Sequence, residues 1–240
     1  MSILKLLKPI GWIISYIRFK IDRLRLQKLI TQGLTVGKNV YIMEDVDFDI
    51  NYPFLIEIGD NCRIAKGVRI LAHDATTFRE LGITRIAPVR ILEGTFIGER
   101  AIILPGVTIG PNALIAAGSV VNRDIGQGKA AAGNPARPYG DYNDILKKYR
   151  EIALTSKIFK EEDIENSKVT PDDLLSVLQK GSIAFIGGMP HLDPYYVNTD
   201  INELRTSALR TCEELSTLHV STDLSYLLQK KENTHTPDEK

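Results

Sequence analysis

Cysteine is nearly absent: Cys62 and Cys212 are the only two in 240 residues, and they form no C-x-x-C motif. That excludes a disulfide framework and removes any need for an oxidising compartment, so the cytosol is the expected location. Net charge is lacking altogether, because 30 basic and 30 acidic side chains cancel. A generally basic nucleic-acid binder and an acidic solvating chain are both excluded. No apolar run is long enough to cross a bilayer. Ile10–Ile17 has eight residues, against the roughly 20 that a membrane helix needs. Nor does the start read as a secretory leader, since Arg18, Lys20, Arg23 and Arg25 stand where a small-residue cleavage site belongs. No Walker-type or G-x-G-x-x-G phosphate loop occurs.

What is present is unevenly distributed. Residues 1–30 hold seven basic side chains against Asp22, a net +6; residues 31–140 hold 11 of each sign; residues 141–240 hold 12 basic and 18 acidic, a net −6. The chain therefore divides into a basic N-terminal segment (1–35), a neutral middle (36–140) and an acidic extension (141–240).

The middle is periodic. Aliphatic residues recur every six positions: Val36 and Ile42, then Ile58, Ile64 and Ile70, then Ile91, Ile97, Ile103, Ile109, Ile115 and Val121. Four residues after most of them stands something small or β-branched, as at Val40, Val46, Cys62, Val68, Thr95, Ala101, Val107, Ala113 and Ser119. A helix wants spacings of three and four and a strand wants two, so a strict six fits neither. It fits a three-sided solenoid of short parallel strands, 18 residues per coil, with an aliphatic ladder inside. About four coils run from Val36 to Gly126. The phase breaks twice. One break is a short insertion near Asp49–Pro53, and the other is an extruded loop of about 15 residues, Thr76–Arg90. A loop of that length in a regular solenoid is a natural seat of function.

The coils hold one histidine, His73, in Ala72-His73-Asp74 at the mouth of the long loop. Imidazole titrates near neutrality and suits a general base, and the neighbouring Asp74 is a candidate to orient it. Adjacent side chains on a strand point to opposite faces, however, which tells against Asp74. A solvated corner histidine and a solvated turn aspartate stay open as alternatives. One histidine cannot furnish the three imidazoles of a β-helical zinc site, so no metal is expected. His191, His219 and His235 are scattered through the extension and read as structural or exposed.

The hexads, the run Ile103-Leu104-Pro105-Gly106-Val107-Thr108-Ile109-Gly110, the segment Ala116-Ala117-Gly118-Ser119-Val120-Val121 and the closing Gly133-Asn134-Pro135-Ala136-Arg137 resemble the left-handed β-helix (hexapeptide-repeat) acyltransferases. Within that family the likeness is to sugar O-acetyltransferases, including those that decorate surface polysaccharides, and it covers about Val36–Tyr139. The resemblance implies a mainly β fold, a left-handed parallel β-helix that forms a homotrimer with active sites in clefts between neighbouring coils. It implies acetyl transfer from acetyl-CoA to a sugar hydroxyl with His73 as general base, and places Asn51 beside the acceptor or thioester. It also implies that Ala116, Ala117, Gly118 and Ser119 admit the pantetheine arm and that Arg137 meets a phosphate. The small corner residues serve coil geometry equally well, and Pro105 and Gly106 are turn formers first. N-acetylation of an amino sugar or nucleotide-linked sugar, and a non-catalytic scaffold, remain alternatives.

The ends carry their own expectations. An amphipathic helix from Pro9 bears the stripe Ile10, Ile13, Ile14, Ile17, Ile21 and Leu24. Two roles are open for it: a cap on the first coil or in the trimer, which solenoids require, and peripheral contact with the inner face of a membrane. The acidic extension reads as mostly helical, with helices at Asp144–Phe159, from Thr170-Pro171 to Gly181, and from Asp200 to Leu218. Ile183–Ile186 is a strand candidate, Met189–Tyr196 a candidate acceptor loop, and Lys230–Lys240 a disordered end.

Overall fold

The computed structural model describes residues 3–160, 170, 172, 184–187, 196–197 and 210, with side chains described from Ile17 to Ser156 and at Thr170, Asp172, Val197 and Arg210. The chain forms two compact units, Met1–Ile145 with Asp193–Asp200, and Leu146–Leu192 with Ile201–Lys240.

In the first unit the hexads build four coils. Coil one is β1 (Thr35–Val36), β2 (Val40–Ile42) and β3 (Asp47–Phe48); coil two is β4 (Ile56–Ile58), β5 (Arg63–Ile64) and β6 (Arg69–Ile70). A hairpin then leaves the solenoid through β7 (His73–Asp74), the short helix α2 (Phe78–Leu81) and β8 (Arg85–Ile86). Coil three is β9 (Val89–Ile91), β10 (Phe96–Ile97) and β11 (Ile102–Ile103); coil four is β12 (Thr108–Ile109), β13 (Leu114–Ile115) and β14 (Val120–Val121). The first strands of the four coils stack as one parallel face, the second strands as another and the third strands as another. Ladder partners keep strict register: Val36 faces Ile58, Ile58 faces Ile91 and Ile91 faces Ile109. Those offsets of 22, 33 and 18 residues are one coil plus a four-residue insertion, one coil plus fifteen, and a bare coil.

Burial explains the period. Ile58, Ile64, Ile70, Ile91, Ile97, Ile103, Ile109, Ile115 and Val121 are almost wholly buried, and so are Cys62, Val68, Thr95, Ala101, Ala113 and Ser119 four residues on. Each six-residue side thus sends one large and one small side chain inward, and a buried Ile contributes about 1.5–3 kcal/mol. The polar members of the small set are satisfied: Thr95 Oγ1 donates to the Gly110 carbonyl at 2.9 Å and Cys62 Sγ to the Leu92 carbonyl at 3.1 Å. Coils also approach closely at corners. A Cβ on Gly98 would lie 2.5 Å from the Ala117 nitrogen, so no side chain fits there.

The ends of the solenoid are covered. The far end carries β15 (Lys129–Gly133) and β16 (Ala136–Asp141), an antiparallel pair that buries Ala131 and Ala136. At the near end stands α1 (Ile3–Thr31), whose Leu26 and Leu29 join the same core. Two expectations are corrected here. The helix begins before Pro9, because Leu4, Leu6 and Leu7 with Lys5 and Lys8 are good helix formers. The expected stripe is not the face that packs on the coils, since Ile17, Ile21 and Leu24 are exposed.

The long loop also differs at one boundary. The coil resumes at Val89, which is fully buried with Ile91, so Arg90 belongs to β9 and not to the loop. Beyond the solenoid, α3 (Tyr142–Leu154) stops five residues short of the expected helix end. Lys157-Ile158-Phe159-Lys160 instead forms β17, paired in parallel with β18 (Ala184–Gly187); the β-favouring Ile158 and Phe159 suit a strand once a partner is present. Finally β19 (Tyr196–Val197) adds antiparallel to β2, Tyr196 facing Tyr41. The expected helices at 170–181 and 200–218, the loop 189–195 and the end 230–240 lie outside the described residues, apart from isolated positions.

Candidate active site

Both phase breaks fall at the same corner, where the chain leaves the third face for the first. The four-residue insertion follows Phe48 and the extruded hairpin follows Ile70, and these two residues are ladder partners. Stacking therefore sets the residues after β3 under the residues after β6. Asp49, from the lower corner, accepts from Nδ1 of His73 at 2.5 Å and from the Ala72 amide at 2.9 Å through Oδ2. Through Oδ1 it accepts from the amides of Asn51 at 3.0 Å and Tyr52 at 3.3 Å. Its side chain is wholly buried while that of His73 is 29% exposed.

The electrostatics of this pair follow from its contacts. Burial pushes the Asp49 pKa up, but the His73 hydrogen bond, the Ala72 and Asn51 amides and the His73 charge outweigh it. The net effect holds Asp49 below its ordinary value. An ionised Asp49 accepts from Nδ1–H, which leaves the imidazole lone pair on Nε2, the ring nitrogen away from the buried carboxylate. Next to it the Tyr52 ring lies 5.5 Å from the imidazole centroid, and Phe54, 60% exposed, meets Tyr52 edge-on at 6.2 Å.

Asp74 does not partner the imidazole. Its Oδ1 accepts from the Thr76 amide at 2.9 Å and from the Thr76 hydroxyl, a local turn, and those bonds lower its pKa. The orienting carboxylate is Asp49, 24 residues earlier in the chain. The first phase break pointed at its position; nothing in the local sequence pointed at its role. Asn51 does belong to this corner, through its backbone, with its side chain exposed.

The other candidate residues stand elsewhere. Ala116–Ser119 forms the corner between the second and third faces of coil four. Ala117 and Gly118 are exposed there, whereas Ser119 is buried and its hydroxyl accepts from the Gly133 amide at 3.2 Å. Arg137 is exposed on the closing hairpin and donates to its neighbour's carbonyl at Ala136.

With this geometry in place, residues 88–123 match the family described as bacterial transferase hexapeptide (six repeats). Coils three and four are thus similar to those hexapeptide repeats. The chain is 35% identical over 120 residues to galactoside O-acetyltransferase of Escherichia coli (strain K12), a match covering 49% of this chain and 58% of that protein. The chain thus spans a little over half the length of this curated relative. Among solved structures, the maltose O-acetyltransferase from Clostridium difficile 630 is 27% identical, with a TM-score of 0.40, covering 51% of this chain and 87% of that one. A galactoside acetyltransferase in complex with coenzyme A is also 27% identical, with a TM-score of 0.38, covering 54% of this chain and 84% of that one.

Proposed function

We propose that this chain transfers an acetyl group from acetyl-CoA to a sugar hydroxyl, with His73 as general base held by Asp49, in the assembly of a surface polysaccharide. The observation that carries this reading is the His73–Asp49 pair at the corner from which the long hairpin is extruded. In the proposed reaction His73 Nε2 takes the proton of the acceptor hydroxyl as its oxygen attacks the thioester carbonyl. The imidazolium, stabilised by Asp49, then returns that proton to the departing thiolate as the C–S bond breaks. Acetyl-CoA supplies only the activated acyl group.

Ala117 and Gly118, bare at their corner, would let a pantetheine arm lie against backbone, and the Arg137 guanidinium suits a phosphate. Tyr52 and the exposed Phe54 offer an aromatic wall beside the imidazole on which a sugar face can stack. A sugar acceptor is also what the 35% identical relative's name describes. The hairpin leaves Phe78, Leu81, Ile83 and Ile86 exposed in a single chain. Cover from a second chain would remove that apolar surface from water, which supports the homotrimer. The proposed location is the cytoplasm, against the inner face of the membrane.

The test is thiol release from acetyl-CoA with a panel of sugars, with the product ester identified by mass spectrometry. His73→Ala should lower kcat by about 10²–10⁴. Full retained kcat removes His73 from the reaction, and absence of coenzyme A binding in calorimetry overturns the transferase reading altogether.

A further inference from the structure

The C-terminal half of α1 has two apolar sides, and the coils use one. Leu26 and Leu29 are in the core with Ile30 packed against it. At 100° per residue, Ile17, Ile21 and Leu24 fall within a narrow sector on the opposite side, and Lys28 continues their line by one turn. Their exposures are 50%, 42% and 71%, so these three side chains are uncovered among the described residues. Lys20 and Arg25 border the strip and, like Lys28, are exposed. The same period in the sequence sets Ile10, Ile13 and Ile14 ahead of Ile17 on the strip's line.

We infer that this side of α1 docks on an anionic lipid surface, with the helix lying in the plane of the interface. Charge complementarity and the apolar strip both point to that surface. Residues 1–30 carry a net +6 while the coil region carries none. Basic residues along both margins of an apolar strip can reach phosphate headgroups while the strip enters the acyl boundary. Pairing with the same strip of a second copy would set Lys20, Arg25 and Lys28 against their own duplicates, which Coulomb repulsion opposes. Spanning is not the mode: among the described residues no helix is long and apolar enough to cross a membrane. The inference stands independently of the acyl-transfer reading, since it uses no residue of the His73 corner.

The experiment is flotation of the full chain with phosphatidylcholine vesicles, with and without about 30% phosphatidylglycerol. Binding to the anionic vesicles should exceed that to the neutral ones by about tenfold and should fall as salt is raised from about 50 to about 500 mM. The variant Ile17→Glu/Ile21→Glu/Leu24→Glu should lose about tenfold in vesicle binding with its melting temperature and assembly mass unchanged. If that variant melts early, Lys20→Gln/Arg25→Gln/Lys28→Gln supplies the same test, with a similar loss confined to anionic vesicles. Equal recovery with both vesicle types overturns the inference. So does a fall in sedimentation mass for the glutamate variant, which would make the strip a contact between copies.

Discussion

Replacing Asp49 with asparagine changes one charge at constant shape, and its consequences can be worked from the contacts. Both carboxylate oxygens accept, Oδ2 from His73 and Ala72, Oδ1 from Asn51 and Tyr52. An amide has one acceptor end, so its NH₂ must face donors on one side. Turned toward His73, it forces the lone pair onto Nδ1 and the proton onto Nε2, the wrong tautomer for a base. Turned the other way, it keeps the tautomer but removes the negative charge that stabilises the imidazolium. Opposite charges about 4 Å apart are worth about 4 kcal/mol at an effective dielectric of 20. Discounting by half for an imidazole that is 29% exposed leaves about 2 kcal/mol, or about 30-fold in kcat.

The assay is thiol release at saturating acetyl-CoA, with Asp74→Asn as the comparison. That variant should stay within about twofold of the parent, because the Asp74 carboxylate is engaged with Thr76. The loss in Asp49→Asn/His73→Ala should equal that of His73→Ala alone, since the aspartate acts only through the ring. Unchanged kcat in Asp49→Asn, or a larger loss in Asp74→Asn, would refute the reasoning. Stability provides a second readout. Asp49 has a lowered folded pKa, so its stabilisation is present above the ordinary carboxylate pKa and lost as pH falls through the lowered one. Circular-dichroism melts carried down through about pH 4 should therefore show a smaller acid-induced loss in the asparagine variant.

Two further outcomes concern the solenoid. Gly98→Ala forces a Cβ to within 2.5 Å of the Ala117 nitrogen and 2.8 Å of the Ala116 carbonyl carbon; the coils must part, and chemical denaturation should show a loss of about 1–3 kcal/mol. The Cys62 thiol is buried, and burial pushes its pKa up to about 11. Iodoacetamide at about pH 8 should leave the Cys62 peptide unlabelled in native protein and label it in urea; labelling of the native protein would contradict the packing.

The coil architecture was legible in the sequence because its cause is local and repeats. Every side of the solenoid needs one large and one small inward residue, so a period of six appears wherever a coil exists. The helix boundaries were less legible. Lys157–Lys160 reads as a continuation of α3 until its strand partner at Ala184–Gly187 is brought alongside. For α1, periodicity identified a real apolar strip and left its neighbour open between the first coil and a membrane. A helix with apolar residues on two sides does not state which side meets the coil; only the docking of Leu26 and Leu29 decides it.

The site divides along the same line. His73 was recognisable as the lone histidine of the coils, at the mouth of the long loop. The residue that holds it was not: Asp74 was the candidate although strand geometry told against it, and Asp49 holds the ring. The hexad count set one interruption near Asp49–Pro53 and another at Thr76–Arg90, and the ladder register, with Phe48 facing Ile70, puts both at one corner. It could not determine that Asp49 would turn inward, lose its water and gather four donors. That outcome depends on the backbone path of the short insertion, which presents the Asn51 and Tyr52 amides, and on the stacking that brings Ala72 and His73 over it. Period and phase are properties of the chain; the desolvated carboxylate is a property of the packed coils.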